Sequence, residues 1–230
     1  MFWRTGKAMT QLVLASGSPR RRELLQLLGR PFRVVVPQTV EGTVQCSDAA
    51  TQASVLAEMK ALSVARHGPE EIIVAADTLV VLCDQIIGKP TDAASARDTL
   101  VALRTGEHQV VTGLAVILPG ASTPILQAVE TRVWMRQYRD EEIANYIDRG
   151  EPFDKAGAYA IQDPEFDPVE RIEGCYANVM GLPLCHLFTT LRDAASLHSL
   201  PPVAACEGHT GRRCSVAGRI LEAATHGLCL

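Results

Sequence analysis

LVLASGSPRRRELL, residues 12–25, decides the fold. Gln11 to Ala15 is a short apolar run, the pattern of a buried strand. Ser16, Gly17 and Ser18 make a turn of small residues. Ser18 then reads as a helix N-cap and Pro19 as the first helical residue. The helix runs from Arg20 to Leu28, with its leucines toward a core, and Gly29 closes it. A strand, a tight turn and a helix in that order are the opening of an α/β fold.

The same alternation continues. Phe32 to Val36 reads as a second strand, β-branched and bounded by Pro31 and Pro37. Asp48 can cap a long helix to about Arg66, with Val55, Leu56, Met59, Leu62 and Val64 as its apolar side. Ile72 to Ala76 is wholly apolar and reads as a central strand that ends at Asp77-Thr78. A hairpin-like pair, Leu79 to Leu82 and Ile86 to Ile87, follows. Thr91-Asp92 starts a helix to about Arg104. Gln109 to Leu118 and Ile125 to Met135 alternate as two long antiparallel strands. Asp140 to Asp148 is a short helix with acids in its first turn, and Leu182 to His198 is another helix. The expected class is α/β, a mixed β-sheet flanked by helices.

Composition narrows the function. The chain has 230 residues, 47% hydrophobic and 21% charged. That suits one domain of about 150 residues or two small ones and excludes a disordered or collagen-like chain. No run approaches the roughly 18 apolar residues of a membrane helix. A net charge of -4 argues against a broad nucleic-acid surface. The charge is uneven: residues 1–36 hold seven basic residues and one acid, while residues 140–173 hold eleven acids and three bases. The acidic stretch reads as a solvated face. The seven cysteines are odd in number and include no CxxC pair, which suits reduced thiols in the cytoplasm. The basic N-terminus, with its short apolar run, does not read as a secretory signal. Residues 10–198 carry the organised pattern. Residues 199–230 hold Pro201-Pro202, small residues and three cysteines, and read as an appended tail whose order the pattern leaves open. Cys206, His209, Cys214, His226 and Cys229 match no standard zinc spacing.

Four segments carry candidate chemistry. At Ser16–Arg22 a helix N-terminus offers free N–H groups and two serine hydroxyls, and Arg20 and Arg21 add planar forks that match phosphate oxygens. Cations in a first helical turn oppose the dipole, so an anion there explains them better than a solvated face does. Asp77 would supply a hard oxygen for a divalent cation and hold a water, although such an aspartate is often only a turn residue. In Ile87-Gly88-Lys89-Pro90, Lys89 offers a point charge, but Pro90 stands where a P-loop has Ser or Thr. Phe153 to Gln162 is rich in small residues that let a ligand approach the backbone. It also holds Lys155, and the Gln162 amide both donates and accepts. Glu41, after the second strand, is a further acid. Phosphate groups, a divalent metal and a water together point to phosphoanhydride hydrolysis.

In this order LVLASGSPRRRELL (12–25), AADT (75–78), IGKP (87–90), DKAGAYAIQ (154–162) and NVMGLPL (178–184) resemble the Maf family of nucleotide pyrophosphatases, in particular its dTTP/UTP branch. The likeness runs from about residue 11 to about 192 and implies several expectations. The fold would be a sheet split by a central cleft, like that of inosine triphosphate pyrophosphatase, commonly in a homodimer. The reaction would cleave a nucleoside triphosphate between its α- and β-phosphates with Mg²⁺ or Mn²⁺. Asp77 would be the proton acceptor and, with Glu41, the metal site. Arg20, Thr78 and Gln162 would select the base. Ser16, Arg21, Lys60, Lys89 and Lys155 would line the polar pocket. One departure is Asp163-Pro164-Glu165-Phe166-Asp167-Pro168, where the family has a glycine-containing stretch. A nucleotide-binding regulator of cell division or septum formation, without turnover, is the alternative. It ranks lower because Asp77 and Glu41 are both present.

Overall fold

The computed structural model describes residues 10–39, 44, 46–65, 70–195 and 200–226. Glu41 lies outside them. In chain order the strands are β1 (Leu12–Ala15), β2 (Phe32–Val35), β3 (Ile72–Leu82), β4 (Gln85–Ile87), β5 (Glu107–Ile117), β6 (Ile125–Met135) and β7 (Val169–Glu173). The helices are α1 (Pro19–Gln26), α2 (Ala49–Ala65), α3 (Ala93–Leu103), α4 (Asp140–Asp148), α5 (Tyr176–Val179), α6 (Leu184–Ala195), α7 (Val203–Thr210) and α8 (Ala217–His226). The strands form one mixed sheet in the order β2-β1-β3-β5-β6-β7, with β4 also on β3. β1 pairs parallel to β2 and β3, and the other pairs are antiparallel. The expected class, α/β with helices flanking a mixed sheet, is observed.

The strand around Asp77 differs from expectation. It does not end at Asp77-Thr78; β3 is one strand of 11 residues. The two polar residues looked like a stop, but β5 pairs with β3 from Ile73 through Val81 and holds the chain extended. What changes along β3 is its other neighbour. The ladder to β1 stops at Ala15↔Ala75, and the ladder to β4 begins at Val80↔Ile87. Asp77 and Thr78 fall in the gap between those partners. The gap is the mouth of a cleft, at the carboxyl end of the parallel strands where open α/β sheets bind ligands.

Helix α2 closes one face. Its buried residues are Ala53, Leu56, Ala57, Lys60, Ala61 and Val64. Leu62, expected inward, is 38% exposed. Small residues face the sheet because the helix lies almost on the strands. A Cβ built on Gly113 of β5 would stand 2.2 Å from the Ala53 carbonyl oxygen. The opposite face carries the main core, from Leu12, Leu24 and Val74 to Tyr138, Tyr146 and Leu187.

The appended segment after residue 199 carries α7 and α8, with α8 against α6. Ala217 is buried, and Cys206, Val216 and Leu221 pack on the main core. No helix among the described residues is long and apolar enough to cross a membrane. The six described cysteines are all free thiols. Among the described residues no group of three or more His, Cys, Asp or Glu is placed to hold a metal.

The acidic stretch is more than a solvated face. Asp140 pairs with Arg97 and Arg104, Glu142 with Arg136 and Arg139, and Glu173 with Arg132 and Arg171. Asp163, in the departing loop, is 8% exposed. It accepts from Arg149 at 2.9 Å and from the Phe166 N–H at 2.7 Å. Phe166 stacks on Tyr146 with ring centroids 4.4 Å apart. The loop after Gln162 is therefore anchored to the core.

Candidate active site

One cavity of about 590 Å³ opens at the gap in the sheet. It is lined by Ser16, Arg20, Arg21, Lys60, Asp77, Thr78, Lys89, Lys155 and Gln162, which brings together every described residue expected at the site. Glu41 lies outside the described residues. The lining holds five cations against the carboxylates of Asp77 and Asp154, so an anionic protein presents a cationic cleft. Such a cleft concentrates anionic ligands.

Three elements converge there. The first is the turn into α1. Ser18 caps the helix by accepting the Arg21 N–H, and α1 has no acid in its first turn. Its dipole is left for an outside anion. Ser16, 4% exposed, accepts from the Ser18 N–H at 3.2 Å. The Arg21 guanidinium reaches back across the cleft. Its Nε donates to the Gly181 carbonyl at 2.8 Å, its Nη2 to Thr78 at 3.0 Å and its Nη1 to Ser16 at 3.4 Å. Arg21 thus ties β1, β3 and the loop after α5 together.

The second element is β3. Successive strand residues face opposite sides, so Asp77 and Thr78 serve the two faces of the sheet. Asp77 faces α2, where the Lys60 ammonium donates to its Oδ1 at 2.5 Å. Both side chains are largely buried, at 7% and 10% exposure. A carboxylate and an ammonium taken out of water together hold one another in place. Thr78 faces the other side, where it meets Arg21 and the Thr112 hydroxyl, 3.0 Å away.

The third element is the segment after α4. Lys155 is 7% exposed, and its ammonium donates to the Glu151 carbonyl, to Glu151 Oε2 at 3.1 Å and to Asp154 Oδ1 at 2.6 Å. Asp154 also pairs with Arg20 at 3.0 Å. Burial opposes ionisation of Asp154, but Lys155 and Arg20 outweigh it and hold its carboxyl below the usual range. Gln162 is exposed at the rim, and Lys89 is exposed on the β4 side.

Several residues that shape the site did not stand out in the sequence. Thr112 and Asn178 are completely buried. Asn178 donates to the Val110 carbonyl and to Thr131, each at 3.0 Å, and its backbone carbonyl accepts from Thr112. Tyr159 lines the cleft and shares a 2.8 Å hydrogen bond with His108. An isolated threonine in an apolar strand signals little. NVMGLPL stood out only through the resemblance.

The family model for Maf-like protein matches residues 11–194. The chain belongs to the Maf family. Maf-family relatives cover nearly the whole matched part. The dTTP/UTP pyrophosphatase of Geotalea uraniireducens is 45% identical over 191 residues, 83% of this chain and 98% of that protein. The dTTP/UTP pyrophosphatase of Citrifermentans bemidjiense is 44% identical over 189 residues, 82% and 97% of the two chains. That of Caldanaerobacter subterraneus subsp. tengcongensis is 46% identical over 183 residues, 79% and 88%. A HAM1 protein from Coxiella burnetii is a distant structural neighbour, with a TM-score of 0.39 and 16% identity over 56% of this chain and 75% of that one. The Maf match ends at residue 194, so α7 and α8 lie beyond it.

Proposed function

We propose that this Maf-family protein hydrolyses pyrimidine nucleoside triphosphates, dTTP and UTP and their modified forms, to the nucleoside monophosphate and pyrophosphate. The observation that carries the reading is the cationic cleft with the buried Asp77–Lys60 pair on its wall. The names of the relatives support the substrate class.

In this reading the triphosphate lies against Ser16, Arg21 and Lys89, with the α1 N-terminus behind it. A water attacks the α-phosphorus in line. A new P–O bond forms, the bond from the α-phosphorus to the bridging oxygen breaks, and pyrophosphate leaves. The water's proton passes to the Asp77 carboxylate, which Lys60 holds in place through Oδ1. Arg21 and Lys89 take up charge on the leaving pyrophosphate. Arg20, Thr78 and Gln162 meet the base.

A divalent cation fits this donor set. Mg²⁺ at nucleotide sites takes one or two carboxylates plus substrate phosphates. The cleft offers the Asp77 carboxylate. Asp77, with Glu41 outside the described residues, would hold Mg²⁺ or Mn²⁺ together with the substrate phosphates. Such an ion would supply charge neutralisation at the phosphates.

The test is a panel of triphosphates with Mg²⁺ or Mn²⁺ and identification of the products. Nucleoside monophosphate plus pyrophosphate from UTP and dTTP is expected. Nucleoside diphosphate plus orthophosphate would refute the reaction. Asp77→Asn should lower kcat by about 10³-fold or more, from the loss of a positioned base, while nucleotide still binds by calorimetry. Unchanged turnover would refute the role of Asp77.

A further inference from the structure

Thr78 of β3 and Thr112 of β5 stand directly opposite each other in the antiparallel ladder. Their hydroxyl oxygens are 3.0 Å apart. On one side, Arg21 Nη2 donates to Thr78 Oγ1 at 3.0 Å. On the other, Thr112 Oγ1 lies 3.2 Å from the Asn178 backbone carbonyl. A hydroxyl has one proton and two lone pairs, a guanidinium only donates, and a carbonyl only accepts. With Arg21 donating at one end and Asn178 O accepting at the other, the protons order in one direction. Thr112 donates to Asn178 O, Thr78 donates to Thr112, and Arg21 donates to Thr78. The reverse order gives up a buried hydrogen bond, because the Asn178 carbonyl then loses the Thr112 proton. Thr78 is left with a single lone pair for the cleft and no proton.

We propose that Thr112, which lies outside the cavity lining, is a specificity-determining residue. By fixing the Thr78 hydroxyl as an acceptor, it makes the cleft select a base with an N–H there, the N3–H of uracil or thymine, over cytosine, whose N3 is a bare acceptor. The inference rests on the reading above that Thr78 meets the base.

Such a lock is needed because Gln162 is a poor discriminator alone. Its side-chain amide carries a donor and an acceptor, it is exposed at the rim, and a half-turn exchanges the two. One orientation would match the O4 and N3–H of uracil and the other the amino group and N3 of cytosine. Discrimination needs groups whose polarity cannot turn over. Arg20, a pure donor tied to Asp154, is one. Thr78, pinned through Thr112, is the second.

The experiment compares kcat/KM for UTP and CTP in wild type, Thr112→Val and Thr112→Ser, with thermal unfolding of each protein. The wild type should prefer UTP. Thr112→Val keeps the side-chain shape but frees the Thr78 hydroxyl to donate, so the preference should narrow about tenfold, through a lower KM for CTP. Thr112→Ser restores the acceptor and should restore the preference; a purely structural role for Thr112 would not change the ratio of the two bases. Equal changes for both bases in Thr112→Val, no preference in the wild type, or a Thr112→Ser protein as relaxed as Thr112→Val would each overturn the lock. The wild type is also assayed with 3-deaza-UTP, whose position 3 carries a C–H, so that the question survives if Thr112→Val does not fold. A kcat/KM about tenfold below that of UTP supports the lock, and an equal value overturns it. A wild type that turns over no pyrimidine triphosphate overturns the functional reading itself, and the lock with it.

Discussion

Replacing Gly113 by Ala tests how helix packing sets the Asp77–Lys60 pair. Gly113 pairs with Asp77 across the β3–β5 ladder. A Cβ there would lie 2.2 Å from the Ala53 carbonyl oxygen, 2.3 Å from its carbonyl carbon and 2.5 Å from the Ser54 nitrogen. Carbon contacts settle at about 3.5 Å, so α2 must move away from the sheet by roughly 1 Å. Lys60 sits seven residues, about two turns, beyond Ala53 on the same buried face. The shift therefore reaches the 2.5 Å contact between Lys60 and Asp77. Overpacking of this kind destabilises by about 1–3 kcal/mol. That corresponds to roughly 2–12 °C in Tm for a chain of this size. A misplacement of about 1 Å at a reacting group lowers turnover by up to about 10²-fold. Steady-state hydrolysis of UTP and thermal unfolding measure the two effects. Both should fall in Gly113→Ala, and adding Ala53→Gly should rescue neither, because the clash is with backbone atoms. A variant with wild-type Tm and kcat would refute the argument, and so would full rescue by Ala53→Gly.

Two further perturbations probe the cleft and its surroundings. Gly181 has φ +106°, and a Cβ on it would come 3.2 Å from Thr78 Oγ1 and 3.4 Å from Arg21 Nε; Gly181→Ala should therefore lose about 1–3 kcal/mol from backbone strain and raise KM by disturbing Arg21, as denaturant melts and kinetics would show. His108 is 2% exposed, and burial pushes its imidazole down to about 4 from the ordinary 6.5. Because its folded pKa is depressed, the unfolded chain takes up the proton first, so stability falls as pH drops from about 6.5 to about 4, by about 3 kcal/mol. His108→Gln should remove about 2.4 kcal/mol of the acid sensitivity between denaturant melts at pH 7 and pH 4.5, and an unchanged difference would refute it.

The half of the site at the α1 N-terminus was readable because its signals are local. Ser18 and Pro19 announce a helix start within two residues, and the arginines after them conflict with the dipole of that same helix. The Asp92 cap was equally plain and is seen as a capping box with Ser95. Signals failed where the deciding partner lies far along the chain. Asp77 and Thr78 looked like the end of a strand, yet β5, more than thirty residues later, holds them within β3. Lys60 was found only through resemblance, since a lysine on a helix is ordinarily solvated and its buried pairing with Asp77 is made across distant sequence. The order of the tail was not legible because its small residues and glycines carry no strong pattern, and the apolar partners of Ala217 and Leu221 lie on the distant core.

The gap in the sheet links these observations. β3 exchanges a parallel partner for an antiparallel one partway along its length, and across that interval its only ladder partner among the described residues is β5. A polar residue there does not disturb two ladders, and alternation sends consecutive side chains to opposite faces. One strand therefore presents Asp77 to the α2 side and Thr78 to the Arg21 side, and the proposed function uses the first for proton transfer and the second for recognition. The two residues have separate supports, Lys60 for the first and Thr112 with Arg21 for the second. Changes on the Thr112 side should alter which base is accepted with little effect on the chemical step, whereas changes on the Lys60 side should slow every substrate alike. A Thr112 variant that slowed all bases equally, or a Lys60 variant that changed only the base preference, would contradict that division.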